Sequence, residues 1–584
     1  MTFLIKKSKP YYYLSSNLEK TEYIATTGKE TLLIKGDSID SNIYKHINQG
    51  EEIISIWPQS SMVVTDSVNM GINWESVTTT DKHTYVIVRY QYKDFLDGLC
   101  NLCLKNCITP VLLYDNHLII GPIFYPNYSP CIHCWVERLM ANIPSLRERA
   151  KRAHTPCVVN YSVENILSII KIFWEVRKPN IIPQRALTIN LQQGTMEYQL
   201  LLTSHNCECI QNNKHLELNE PILLEDLLGN IFGKIHSIGT PISSDKLMFI
   251  KTTYSRGKLP FIEGCGCSLD EKIATSRAMA ESLERTISSM IPDHCIYEDF
   301  NHISLPIAIE KLSPYTEIQI KKQQVPFVTF NVNEKLYWCY GYNLCTGRKV
   351  NIPMCLVINL PDPYIQAFAP HTATGVASAP SWPVAVRKAF FEVIERDIVC
   401  RAWSEGNVKR IDPTYWAPKE ARQFMNNDYN MRLAICLNEW DVPVVVAMIK
   451  INKEISYGCA AFENVSGAAI HAIEEAYQML IYQRNRTYFN LEDPIWQVME
   501  WADINQIDRG FSYEKLLIHY QPIVVDLTNY IARSVCIKVA SVWSSMAVDF
   551  STIHFGIPLV VWQPSVYSRE RIKFLSHFVS KKND

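Results

Sequence analysis

The sequence predicts a mixed α/β (α+β) protein of several domains, on three observations. At 584 residues the chain is too long for one ordinary hydrophobic core. Short β-branched or aromatic runs bounded by turn residues alternate with longer helix-forming stretches. Hydrophobic residues make up 47% of the chain and aromatic residues 11%, the composition of a packed protein and not of a disordered one.

The formal net charge is −2, so no basic field is available to hold a nucleic-acid backbone. No apolar run approaches the length that spans a bilayer, which argues against a membrane protein. The opening MTFLIKKSKP has no apolar stretch after its lysines and does not read as a secretory signal. A cytoplasmic chain is expected, and its 18 cysteines then read as reduced thiols or metal ligands.

Three regions are expected. In residues 1–80, YYYL, EYIAT and TLLIKG suggest a hairpin or small sheet, and SIDSNIYKHINQG suggests a helix with an Asp/Ser cap and a Gly stop. Together they read as a small winged-helix-like fragment. Residues 81–235 continue with the strand TYVIVRYQ, the helical stretch DFLDGLCNLCLKNC and two strands in ITPVLLYDNHLIIGPIFYP. A mostly helical segment follows over 131–180, then a β segment over 183–209, then a linker leading into a helix over 214–235. No Gly-rich phosphate loop follows any of these strands. Residues 236–584 form a large mixed α/β region without low-complexity tracts.

Two helix-forming segments of that last region repeat one motif. ATSRAMAESLERTISSM carries Glu281-x-x-Glu284-Arg285, and SWPVAVRKAFFEVIERDI carries Glu392-x-x-Glu395-Arg396. A third helix, AAIHAIEEAYQMLIY, adds Glu475 and Gln478. Carboxylates three apart share a helix face, and one such pair is ordinarily a solvated surface with a weak Glu–Arg contact. Here the motif recurs among apolar neighbours that favour burial. Carboxylates buried together repel unless cations neutralise them. Oxygen-only donors select hard ions, Mg²⁺ above all, and Mg²⁺ commonly accompanies phosphates. The chemistry indicated is phosphoryl transfer.

Cysteines supply the other motif. Cys131-Ile-His-Cys134 and Cys207-Glu-Cys209 place four thiols at two corners. On spacing alone, a closed zinc site and four reduced cysteines both remain open, because C-x-C is unfavourable for one tetrahedral metal. His133 and His205 are substitute ligands. Cys100, Cys103 and Cys107 recur at helical spacing and read as core. Cys265 and Cys267 lie in GCGCS, just before the first carboxylate motif, with no histidine evident to activate a thiol.

The set SRAMAESLER, TGVASAPSWPVAVRKAFFEVIERD and EEAYQ, in that order, resembles the YcaO family over about residues 240–584, with TGRKVNIPMCLVINLP and VVDLT also similar. The resemblance implies that Glu281, Glu284, Glu392 and Glu395 hold Mg²⁺ and ATP, that Ser276, Arg285 and Arg396 contact the nucleotide, and that Glu475 and Gln478 join them. GPIFYPNYSPCIHCWVERL and LLLTSHNCEC resemble the E1-like docking component of azoline cyclodehydratases. That implies a structural Zn²⁺ on Cys131, Cys134, Cys207 and Cys209, in a domain that presents substrate without using ATP.

The activity implied is ATP-dependent conversion of Cys, Ser or Thr in a ribosomal precursor peptide to thiazoline or oxazoline, with the leader segment captured by the N-terminal region. The implied partners are that precursor, an E1-like docking protein and a flavin dehydrogenase; a homodimer is one open assembly state. Three departures stand out, the first being that the N-terminal 235 residues are short for a full docking domain, a shortened E1-like region. Cys265 occupies a place where relatives carry a lysine in Gly-Lys-Gly, and FLSHFVSKKND is not the proline-rich tail usual in azoline-forming members. They keep two alternatives open: a leader-binding partner subunit of a separate YcaO enzyme, and a YcaO enzyme making thioamide or amidine. Arg484, after the third helix, is placed either to reach phosphate or to cap that helix.

Overall fold

The computed structural model describes, with interruptions, residues 107–143, 184–240 and 248–545, together with isolated strands between residues 5 and 88. The stretches outside it include 36–52, 55–82, 89–106, 144–183 and 546–584. The chain divides into two compact units: Met1–Ser237 with Arg256–Pro260, and Ile238–Ser255 with Phe261–Asp584.

In the first unit, Tyr13–Ser16, Glu22–Thr26 and Thr31–Lys35 form an antiparallel three-stranded sheet, which realises the strands expected there. The helix expected from SIDSNIYKHINQG lies outside the described residues, as does the C-terminal FLSHFVSKKND. A second sheet begins with β1 (His83–Val88), parallel to β2 (Cys107–Tyr114), which turns back into β3 (His117–Ile120). Cys107 therefore opens a strand instead of closing a helix. The β-branched run after it and Pro110, which cannot donate to a helix, account for the difference. Cys100 and Cys103 lie outside the described residues.

The short β4 (Tyr128–Ser129) precedes helix α1 (Ile132–Asn142). Strands β5 (Arg185–Asn190) and β6 (Thr195–Leu200) complete the second sheet in the order β6-β5-β3-β2-β1, and β7 (Lys214–His215) pairs in parallel with β4. Among the described residues between β7 and 235, the helical structure is a 3₁₀ turn at Leu224–Leu227. Gln199 explains why. Its Oε1 accepts from Ile231 N (3.0 Å) and Phe232 N (2.9 Å), and it leaves no room for a side chain at Gly229. Those backbone donors are thus taken from any helix.

The second unit holds three strand–helix pairs. In the first, β8 (Phe249–Ser255) pairs antiparallel with β9 (Ile262–Ser268), which leads into α2 (Glu271–Ser288). Asp270 caps α2, accepting from Lys272 N and Ile273 N. The second pair belongs to a larger sheet containing β10 (Ile296–Glu298), β11 (Leu336–Asn343) and β12 (Val376–Ala379), and β12 leads into α3 (Trp382–Glu405). The third follows the antiparallel run β13 (Val408–Ile411), β14 (Tyr429–Cys436), β15 (Val444–Ile451) and β16 (Glu454–Ala461), which ends in α4 (Val465–Tyr482). Helix α5 (Tyr513–Tyr520), β17 (Ile523–Asp526) and β18 (Lys538–Trp543) return to the larger sheet, in the order β10-β11-β17-β18-β12.

Each helix packs on its own strand and also on the next pair's strand: α2 on β12, α3 on β16, α4 on β9. The three pairs therefore close a ring. The back of α3 enters a core of Phe390, Ile394 and Ile398 against Val444, Val446 and Tyr520. Asp397 is completely buried there, accepting from the Tyr520 hydroxyl (2.7 Å) and pairing with Arg401 (2.7 Å). The other faces of the three helices converge inside the ring.

Candidate functional site

The ring carries an internal repeat that the Glu-x-x-Glu motifs only partly revealed. Arg277-Ala-Met-Ala-Glu281-x-x-Glu284 on α2, Lys388-Ala-Phe-Phe-Glu392-x-x-Glu395 on α3 and His471-Ala-Ile-Glu-Glu475-x-x-Gln478 on α4 follow one pattern. A further alanine lies one turn earlier in each: Ala274, Ala385 and Ala468. All six alanines are fully buried. A glycine stands at the same distance before each first glutamate, at Gly264, Gly375 and Gly458. A side chain at Gly264 would come within 2.3 Å of Ala278 O, and one at Gly458 within 2.3 Å of Ala472 O. Small residues on both partners thus let strand and helix approach closely, and the glutamates emerge at the strand backbone.

The first glutamate of each helix binds its own strand. Glu281 accepts from Cys265 N (2.6 Å), Glu392 from Gly375 N (3.0 Å) and Glu475 from Cys459 N (2.8 Å). The second glutamate reaches the next pair. Glu284 accepts from Ser378 N of β12 (2.7 Å), and Glu395 accepts from Ala461 N (3.2 Å) and the Cys459 thiol (3.2 Å) of β16. Five carboxylates are thereby fixed on a rigid frame by backbone N–H groups. Among the described residues, Glu475 accepts a hydrogen bond at one oxygen, from Cys459 N, so the site keeps an open carboxylate oxygen.

Burial raises these acids. Glu284 is pushed up to about 8 by burial and then by neighbouring Glu392, Glu395 to about 8 by burial and then by Glu475, and Glu475 to about 7 by burial. Glu281 is also raised by burial, against the pull of Arg285. Acids held this way resist ionising together unless a cation is present. The donor atoms of Glu395, Cys459 and Glu475 lie within 4.8 Å of one another. Carboxylate oxygens with open coordination on a fixed frame fit Mg²⁺.

The structure gathers Glu281, Glu284, Glu392, Glu395 and Glu475 at this site. Arg285 pairs with Glu281 and donates to Glu263 O (2.8 Å), while Arg396 pairs with Glu392 (2.9 Å) and donates to Thr374 (2.6 Å). Gln478 is half-buried on α4 at the place equivalent to Glu284 and Glu395. Ser276 is exposed on α2 and makes no hydrogen bond among the described residues. Cys267 packs in the core beside Met248 (3.7 Å), while Cys265 takes part through its backbone. Arg484 and His205 lie outside the described residues. Sequence reasoning passed over Lys388, Arg277 and His471; the alanine pattern shared by the three helices was the signal that marks them.

In the first unit, Cys131 sits at the start of α1, Cys134 in its first turn, and Cys207 and Cys209 beyond β6. The Sγ atoms are 3.4 Å apart for Cys131–Cys207, 3.5 Å for Cys134–Cys209 and 3.9 Å for Cys131–Cys134. Zinc–sulfur bonds of about 2.3 Å in a tetrahedron place sulfurs about 3.8 Å apart, so the quartet fits that ion. The cluster is braced by Ser204 N donating to Cys134 Sγ (3.2 Å) and by Ser129 Oγ donating to Cys209 O (2.6 Å). Two cations, Lys234 and Arg138, interact electrostatically with Cys134; burial lowers Lys234 to about 7 and Arg138 to about 10.

Comparison with known proteins agrees with this geometry. Residues 265–525 match the family model described as YcaO cyclodehydratase, ATP- and Mg²⁺-binding. The fold is similar to that of a heterocyclase solved in complex with substrate and cofactor, with a TM-score of 0.65, 12% identity, and coverage of 98% of this chain and 99% of that one. It is also similar to the heterocyclase TruD, with a TM-score of 0.58, 14% identity and the same coverage. No curated protein matches the chain. The matched stretch is the one that carries the ring of carboxylate helices, so over residues 265–525 the chain is similar to the YcaO cyclodehydratase family.

Proposed function

We propose that this protein uses ATP and Mg²⁺ to convert Cys, Ser or Thr residues of a ribosomally made precursor peptide to azolines, in the biosynthesis of a modified, bacteriocin-like peptide. The observation that carries this reading is the ring of five backbone-anchored carboxylates contributed by three helices. Shared architecture with two heterocyclases over nearly the whole chain supports it.

In this reading the substrate side chain attacks the preceding backbone carbonyl, and the resulting oxyanion takes the terminal phosphoryl group of ATP. Ring closure expels phosphate, which carries away the amide oxygen, so one water is lost overall as ATP becomes ADP and phosphate. Mg²⁺, when bound, neutralises phosphate charge and the carboxylates together. The contribution of the chain is positioning: Glu284 and Glu395 tie adjacent strand–helix pairs, so donors from all three helices stay at fixed separations.

The test is mass spectrometry of the precursor peptide after incubation with protein, ATP and Mg²⁺, beside a Glu284→Gln control. Stepwise loss of water, absent from the control, is expected. An unmodified peptide that still binds the protein through its leader would instead identify a partner subunit. A docking protein and a flavin dehydrogenase are the partners this reading anticipates. No helix among the described residues is long and apolar enough to cross a membrane, and a cytoplasmic site of action accords with ATP use.

The cysteine quartet is read in the same proposal as a structural zinc site. The S–S separations support it, and so do Lys234 and Arg138, since four thiolates around Zn²⁺ carry a net negative charge. Purified protein is expected to hold one zinc per chain by elemental analysis. Cys134→Ser should lose most of it, and Lys234→Met should surrender it to a chelator faster than wild type does. A zinc-free wild type with a folded N-terminal unit would refute the assignment.

A further inference from the structure

The repeat places a basic residue one turn before the first glutamate on every helix of the ring: Arg277, Lys388 and His471. Two of the three are committed. Arg277 donates to Cys267 O (2.7 Å) and pairs with Glu474 (2.6 Å), and His471 shares that carboxylate through Nδ1 (3.0 Å). These contacts link α2 to α4. The motif arginines are committed as well, Arg285 to Glu281 and Arg396 to Glu392 and Thr374.

Lys388 differs. Among the described residues it makes no hydrogen bond and no ion pair. Its positions relative to Glu392 and Glu395, four and seven residues on, put all three on one face of α3. The charges it senses are Glu284 and Arg277 across the ring, and Arg387 beside it. Arg387 is turned away into a pair with Glu463 (2.6 Å). A polyphosphate entering a ring of carboxylates meets repulsion that metal ions offset only in part, and an uncommitted ammonium is the group that would take up the remainder.

We propose that Lys388 is a catalytic residue of this site that contacts the terminal phosphate oxygens of ATP. The inference rests on the ATP-dependent reading above. Its test is equilibrium binding of the Mg²⁺ complex of a non-hydrolysable β,γ-imido triphosphate, and of AMP, to the full-length protein. Wild type is compared with Lys388→Met, Lys388→Arg and Arg387→Gln. Lys388→Met should weaken triphosphate binding by about 10- to 100-fold, the worth of a charge-assisted hydrogen bond, and leave AMP binding unchanged. Lys388→Arg should retain most of the affinity, and Arg387→Gln should bind like wild type. Lys388→Gln keeps the test available if the methionine variant does not fold. Equal triphosphate affinity in wild type and Lys388→Met, or equal losses for triphosphate and AMP, would overturn the assignment while leaving the ATP reading intact. A wild-type protein that binds no triphosphate would overturn both.

Discussion

Glu284→Gln and Glu395→Gln are each expected to reduce ATP turnover by roughly 10³-fold, about 4 kcal/mol of transition-state stabilisation, with little loss of stability. The two glutamates are the joints of the ring: Glu284 binds Ser378 N of β12 and Glu395 binds Ala461 N of β16. A glutamine keeps an oxygen that accepts from those donors, so the joint survives. What disappears is a negative charge at the place where a hard cation is held. The third equivalent position supports the separation of these effects, because Gln478 already occupies it and α4 still packs on β9. Steady-state ATPase rates and urea unfolding of the same samples provide the check. Near-normal turnover in either variant would show that its carboxylate does not serve the reaction. A collapse of stability would show that burial of charge, not catalysis, explains these residues.

Much of this site could be read from the sequence because its chemistry depends on spacing within single helices. Glu281-x-x-Glu284, Glu392-x-x-Glu395 and Glu475-x-x-Gln478 are local patterns, and helices of that length place them on one face whatever surrounds them. The ring closure was not legible, because contacts such as Glu284 with Ser378 join residues far apart in sequence. Nor was the shared role of Gly264 and Gly458, whose purpose appears only when a helix lies against the strand. The cysteines show the converse. A C-x-C pair looks wrong for a tetrahedron by spacing, yet the pairing of β7 with β4 and the brace from Ser129 to Cys209 bring its sulfurs into range. The helix expected at the end of the 214–235 linker is a 3₁₀ turn among the described residues, and there Gln199 claims the Ile231 and Phe232 backbone donors that a longer helix would need.

Acidity is expected to act on the empty and the loaded site in opposite directions. Glu284 and Glu395 are held at about 8 and Glu475 at about 7, all above the ordinary 4.5 and in each case chiefly by burial. A folded-state value above the unfolded one means that the folded protein binds the proton more tightly. The associated stability is therefore complete below about pH 4.5 and is lost as pH rises toward about 8, at up to about 1.4 kcal/mol per group and pH unit. The metal-free protein should accordingly melt at a lower temperature at pH 8 than at pH 6. Mg²⁺ binds the ionised carboxylates, so its affinity should rise over the same interval, by up to about tenfold per pH unit for each proton displaced. The stabilisation conferred by Mg²⁺ with a non-hydrolysable triphosphate should then grow with pH, and ATP turnover at limiting Mg²⁺ should climb steeply between pH 6 and pH 8.5. Melting curves across that range, with and without the metal–nucleotide complex, separate the two trends. If the Mg²⁺ affinity stays flat, the carboxylates are already ionised in the empty ring, and the cations around it, Lys388 among them, neutralise the site without metal.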